Sequence, residues 1–222
     1  MAYYIKQQLI SMNRPKEKFI NLKGIVIHST ANIGTTSLNH YNYWNNADRQ
    51  SSVHYIADWI GEEIYQFIPE NEISWHTGSW QGNREWLGIE MCETADKTQF
   101  EIVWNKTVWF VADLCIRYNW NVDNNVWSHN GLRSLYKGVD HTDPYEYLTR
   151  MGKTWKQLCD AIGAKIIELK NNKEGVVFKV ADVTTKVDKD VYLSVRVLDS
   201  KADQLIKDII KLGYATKRLE LA

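Results

Sequence analysis

Two histidines stand where folds collect chemistry. In GIVIHST (24–30) a short β-branched run ends in His28 and two hydroxyl residues, and VWSHN (126–130) repeats the arrangement at His129 about a hundred residues later. Runs of this kind read as buried strands, and α/β sheets bind ligands at the carboxyl ends of their strands. Two such ends can bring imidazoles together. Two histidines and one carboxylate leave the fourth corner of a tetrahedral zinc site to water, as a hydrolytic centre requires, and bound zinc lowers the pKa of water to about 7. On spacing alone, ordinary sheet histidines remain the competing reading. A carboxylate is at hand in LGIEMCE (87–93). Alternation puts Leu87, Ile89 and Met91 on one face and Gly88, Glu90 and Cys92 on the other. A glutamate within an apolar strand is costly without a partner or a task, so Glu90 is either a bonded structural carboxylate or part of the chemistry. Glu93, near the strand end, is expected in solvent.

The elements that must position these residues can be read along the chain. SLNHYNYWNN (37–46) is expected to be a helix with Leu38, Tyr41 and Tyr43 or Trp44 inward and His40 at the surface. SVHYIAD (52–58) and EEIYQFI (62–68) flank WIG and read as a hairpin. Residues 100–120 carry apolar positions at helical spacing, 123–130 return to the sheet, and 154–169 form a closing amphipathic helix. Strands alternating with helices predict an α/β fold, a central mixed β-sheet flanked by helices. All ten tryptophans lie between Trp44 and Trp155, and the composition changes at the polar stretch ELKNNKEG. We therefore place a large domain at 1–168, a linker at 169–175, and a small α+β domain of β-β-α-β order at 176–222. So small a unit is marginal alone, so wall binding or self-association as a homodimer is expected of it.

Composition narrows the function classes. Hydrophobic residues are 44% and charged residues 24% of the 222, the balance of a globular protein. Net charge is zero, which argues against nucleic acid as a partner and against a membrane surface. Cys92, Cys115 and Cys159 form no CxxC pair, so neither a disulfide framework nor a cysteine zinc knuckle is expected, and the chain reads as made in a reducing cytosol. No apolar run has the length of a signal peptide or a membrane span.

Four motifs in order, IVIHSTAN (25–32), SSVHYIAD (51–58), ISWHTG with NREWLGIEMCE (73–78, 83–93), and WSHNGL followed by DHTDPYEYL (127–132, 140–148), resemble the amidase-2 family of N-acetylmuramoyl-L-alanine amidases. That family includes phage lysozyme-type amidases and peptidoglycan recognition proteins, and the resemblance covers about residues 20–165. It implies one zinc ion held by His28, His129 and Asp143, with Asp140 a minor rival for the third place. Glu90 falls where many members place the carboxylate that polarises the attacking water. His141 falls where many carry an oxyanion-stabilising lysine, with Lys137 the alternative cation. Val53 replaces a tyrosine found in some members, and His54 reads as structural. The groove implied by the resemblance draws on His76, Trp80, Asn83 and Arg84, with Trp80 an exposed sugar platform and Trp75 and Trp86 in the core. The implied activity is hydrolysis of the amide between N-acetylmuramic acid and L-alanine in peptidoglycan. The lack of an export signal suggests an endolysin made in the host cytoplasm that reaches the wall after release. A cytoplasmic muropeptide-recycling amidase, a non-catalytic peptidoglycan-binding module and a zinc peptidase are the alternatives.

Overall fold

A computed structural model describes residues 3–173. The frame is a six-stranded sheet of β1 (Tyr4–Gln7), β2 (Gly24–Ser29), β3 (Tyr55–Ala57), β4 (Glu63–Gln66), β5 (Trp86–Met91) and β6 (Val126–Ser128), in spatial order β1-β4-β3-β5-β2-β6. All neighbours run parallel except β3 and β4, the hairpin expected around WIG. Helices α1 (Ser37–Asn46), α2 (Trp80–Asn83), α3 (Lys97–Arg117), α4 (Val122–Asn125), α5 (His129–Leu132), α6 (Tyr145–Arg150) and α7 (Trp155–Lys173) complete the described residues, and the mixed sheet flanked by helices is the predicted architecture.

Central strands of such sheets are covered on both faces and read as continuous apolar runs. β2 is buried along its whole length. One face carries Ile25, Ile27, Leu87, Ile89 and Met91 against α3 (Lys97–Arg117) and α7 (Trp155–Lys173). α3 starts where Asp96 accepts the Gln99 N–H, and buries Phe100, Val103, Trp104, Val108, Val111 and Leu114 at helical spacing. The opposite face carries Val26 and Trp86 under Leu132, Tyr136 and Val139. His28 and Glu90 follow Val26 and Gly88 at the two-residue repeat, so both lie on this second face, away from α3 and α7.

Register then does the assembly. His28 pairs with Glu90 across β2 and β5, and Ile27 pairs with Ser128 across β2 and β6, which brings His129 to the same end of the sheet.

Several expectations are corrected. α1 (Ser37–Asn46) is phased by a capping box between Thr36 and Asn39 and by Asp58, whose carboxylate accepts the Ser37 N–H at 2.8 Å. The buried positions are therefore Ser37, His40 and Trp44, while Leu38 (54% exposed) and Tyr43 (48%) face out. His40 is buried, not at the surface: it meets Thr35 Oγ1 at 2.8 Å and packs on Trp44. Residues 169–173 continue α7; the rest of the expected linker and the unit at 176–222 lie outside the described residues. Among the described residues no helix is long and apolar enough to cross a membrane.

Candidate active site

The carboxyl ends of β2 and β6 deliver the two imidazoles, as their runs predict. His129 opens a short helix, α5 (His129–Leu132), capped by Ser128, and the following loop returns Asp143 to it: Asn130 N–H donates to the Asp143 carbonyl at 3.1 Å. His28 Nδ1 and His129 Nδ1 stand 3.0 Å apart, His28 Nδ1 is 3.1 Å from Asp143 Oδ2, and His129 Nδ1 is 3.0 Å from Asp143 Oδ1. Both histidines are buried. Ligand atoms at tetrahedral corners about 2.0–2.1 Å from a zinc ion would be roughly 3.3 Å apart. The observed triangle is that site contracted by a few tenths of an ångström, and its donors, two imidazole nitrogens and a carboxylate, suit zinc. His28, His129 and Asp143 can therefore hold a metal. Asp140 is not part of this group; it is strongly exposed and meets His141 Nε2 at 3.6 Å.

The electrostatics follow from burial and pairing. Burial pushes the His28 imidazole down, against the pull of Asp143. Burial also works to raise Asp143, but its pairing with the His129 and His28 rings outweighs that and holds the carboxyl below the ordinary range. Glu90 lies in the same cleft. Its Oε2 is buried without a hydrogen-bond partner, and burial, then the charges of Asp143 and Glu93, push its carboxyl well above the usual range. A half-buried carboxyl whose inner oxygen is left unpaired beside three convergent donors is poised for work on a substrate.

His141 stacks on His129, ring centroids 4.9 Å apart, with its side chain 67% exposed at the cleft. Lys137 does not line this cleft; it belongs to a shallow depression beside Trp127. The cleft, about 600 Å³, runs from the three donors past Thr35, Asn39 and Tyr43. Trp75, expected in the core, forms part of its wall, whereas Trp86 is buried as expected.

The remaining expected substrate contacts are placed differently. Asn83 is buried, and its Oδ1 accepts from His76 N, Thr77 N and Thr77 Oγ1, so it shapes the 76–83 loop. Trp80 is 53% exposed with the Arg84 guanidinium over its ring at 5.5 Å, and neither lines the cleft. His76 does line it, yet both ring nitrogens are engaged inward: Nδ1 meets His28 Nε2 at 2.9 Å and Nε2 meets the Trp86 carbonyl at 3.0 Å. His54 is structural, as expected, donating to the Glu72 carbonyl and accepting from Gly88 N–H. Glu93, expected in solvent, is buried, and pairs with Arg150 while accepting from Ser29 Oγ (2.8 Å) and Ala31 N–H (3.1 Å). It clamps the turn that follows His28. Its place at the end of an apolar strand carried no sign of that role, because Arg150 lies 57 residues away.

A family model described as N-acetylmuramoyl-L-alanine amidase (Amidase_2) matches residues 18–146. The N-acetylmuramoyl-L-alanine amidase XlyA of Bacillus subtilis is 32% identical over 170 residues, 68% of this chain and 56% of that protein. The bifunctional autolysin of Staphylococcus aureus is 29% identical over 152 residues, 65% of this chain and 12% of that protein. The chain thus matches about half the length of the first relative and a small part of the second. The structure of Staphylococcus aureus hydrolase AmiA in complex with its ligand superposes with a TM-score of 0.70 at 26% identity, covering 77% of this chain and 87% of that one.

Proposed function

The chain belongs to the N-acetylmuramoyl-L-alanine amidase family, and on that premise we propose that it hydrolyses the amide between N-acetylmuramic acid and L-alanine of peptidoglycan, with one zinc ion, and so lyses bacterial cell wall. The observation that carries the reading is the convergence of His28 Nδ1, His129 Nδ1 and the Asp143 carboxylate within 3.0–3.1 Å at the end of the sheet, beside an unpartnered Glu90. A non-catalytic binding module has no need of that set.

Zinc, when bound by the three residues, would polarise the amide carbonyl and make water acidic enough to attack near neutral pH. Glu90 takes the proton of the attacking water and passes it to the leaving L-alanine amine. His141, exposed at the cleft and stacked on His129, donates an N–H to the oxyanion of the tetrahedral intermediate; Lys137, outside the cleft, does not. The cleft past Asn39 and Tyr43 holds the substrate so that its carbonyl meets Glu90 and His141 in register.

Product identification tests the assignment. Digested wall should show new L-alanine amino termini with one zinc per chain. Cleavage inside the stem peptide would make the protein an endopeptidase, and binding without cleavage would make it a recognition module. Asp143→Ala should lose both the metal and lysis.

A further inference from the structure

We propose that His76 is a positioning residue for the metal centre: it accepts a hydrogen bond from His28 Nε2–H and so locks the tautomer in which His28 offers a lone pair at Nδ1. The inference rests on the zinc reading above.

A backbone carbonyl can only accept. His76 Nε2 lies 3.0 Å from the Trp86 carbonyl, so the proton of the neutral ring is on Nε2 and His76 Nδ1 carries a lone pair. The 2.9 Å contact between that atom and His28 Nε2 then makes His28 the donor. With its one proton used there, His28 presents a bare Nδ1, the atom 3.0 Å from His129 Nδ1 and 3.1 Å from Asp143 Oδ2. His129 is set the same way, because its Nε2 faces the Thr77 carbonyl at 3.2 Å. Three lone-pair donors are thus turned toward one another, an arrangement that a cation satisfies. The two histidines differ in how this is done. His129 uses a main-chain carbonyl directly, whereas His28 depends on a side chain that relays one.

The seat of that relay is built. A Cβ at position 88 would lie 2.7 Å from His76 Nδ1 and 3.0 Å from its Cγ and Cε1, so the ring occupies the space that Gly88 leaves. His54 packs edge-on against the His76 ring at 5.7 Å, and Asn83 Oδ1 holds the His76 backbone N–H at 3.0 Å. Outer partners of metal-binding histidines typically contribute a factor of about 10–100 in metal affinity.

The full-length chain is stripped of zinc, and its affinity is measured by competition with a chelator. His76→Phe, which keeps a planar ring but removes the acceptor, should weaken zinc binding about 10–100-fold. His76→Asn, whose Oδ1 takes the place of Nδ1, should hold zinc nearly as the natural chain does, a rescue that a packing role would not produce. Gly88→Ala should weaken zinc binding by displacing the ring. In the zinc-loaded natural chain, long-range 1H–15N spectra should show His28 protonated at Nε2, with a 15N–15N coupling through the hydrogen bond to His76 Nδ1. A folded His76→Phe chain with unchanged zinc affinity, or His28 uncoupled to His76, overturns the inference; if His76→Phe does not fold, the coupling and the Asn variant decide. A natural chain that binds no zinc removes the zinc reading as well, whereas one zinc with no effect of position 76 removes this inference alone.

Discussion

Glu90→Gln should make the zinc-free protein more stable while disabling it. Glu90 Oε2 is buried without a partner, and burial, with the charges of Asp143 and Glu93 behind it, raises the carboxyl well above its usual range. A folded-state pKa above the unfolded one stabilises the fold below the unfolded value, about 4.3 for glutamate, and that contribution is lost as pH rises through the folded value. At pH 7 the native chain therefore bears the strain of a carboxyl that would ionise freely on unfolding. Glutamine has no charge to desolvate. Unpartnered buried polar groups cost about 1–3 kcal/mol, more when charged; because the amide remains polar, we expect a gain of about 1–2 kcal/mol. For a domain of this size that is roughly 2–8 °C in Tm. The gain should appear in calorimetry of zinc-free protein at pH 7, shrink toward pH 4, and be smaller with zinc bound, since a dication offsets the Asp143 charge. Wall lysis should fall about 10²–10⁴-fold, the usual worth of a general base, with zinc content unchanged. Zinc-free Glu90→Gln melting at or below the natural chain at pH 7 would refute the energetic argument; lysis at the natural rate would refute the role.

Other expectations are simpler to state. His141→Ala should slow turnover about 10²–10³-fold with zinc retained, while Lys137→Ala, outside the cleft, should leave rate and metal unchanged; steady-state assays with metal analysis separate the two. Glu70 is held down to about 2 because hydrogen bonds from Arg117, Tyr55 and Tyr118 outweigh the cost of its burial. Its contribution, at most about 3 kcal/mol, is present above pH 4.5 and lost as pH falls toward 2, so Glu70→Gln should flatten that limb of the stability profile in denaturant titrations. Leu114→Ala, between the sheet and α3, should cost about 2–5 kcal/mol without altering zinc affinity, as urea unfolding and chelator competition will show.

The local signals were legible because they are periodic or covalently adjacent. A β-branched run marks β2 whatever surrounds it, alternation puts Glu90 on the face opposite Leu87 and Met91, and a histidine at the carboxyl end of each of two strands announces a crevice. The motif order extends this to Asp143, which the folded loop selects over Asp140, three residues away. What the residue string left unsettled depends on partners distant along it. His40 and Glu93 look like surface groups until Asp58 and Thr36 fix the phase of α1 and Arg150 arrives from α6 (Tyr145–Arg150). Asn83 reads as a ligand-binding amide, but three donors from residues 76 and 77 consume its oxygen. The relay from the Trp86 carbonyl through His76 to His28 joins three chain segments across a gap that only a glycine leaves open. Strand periods and side-chain chemistry are properties of neighbours in sequence; hydrogen-bond direction and burial belong to neighbours in space, and these only the tertiary structure brings together.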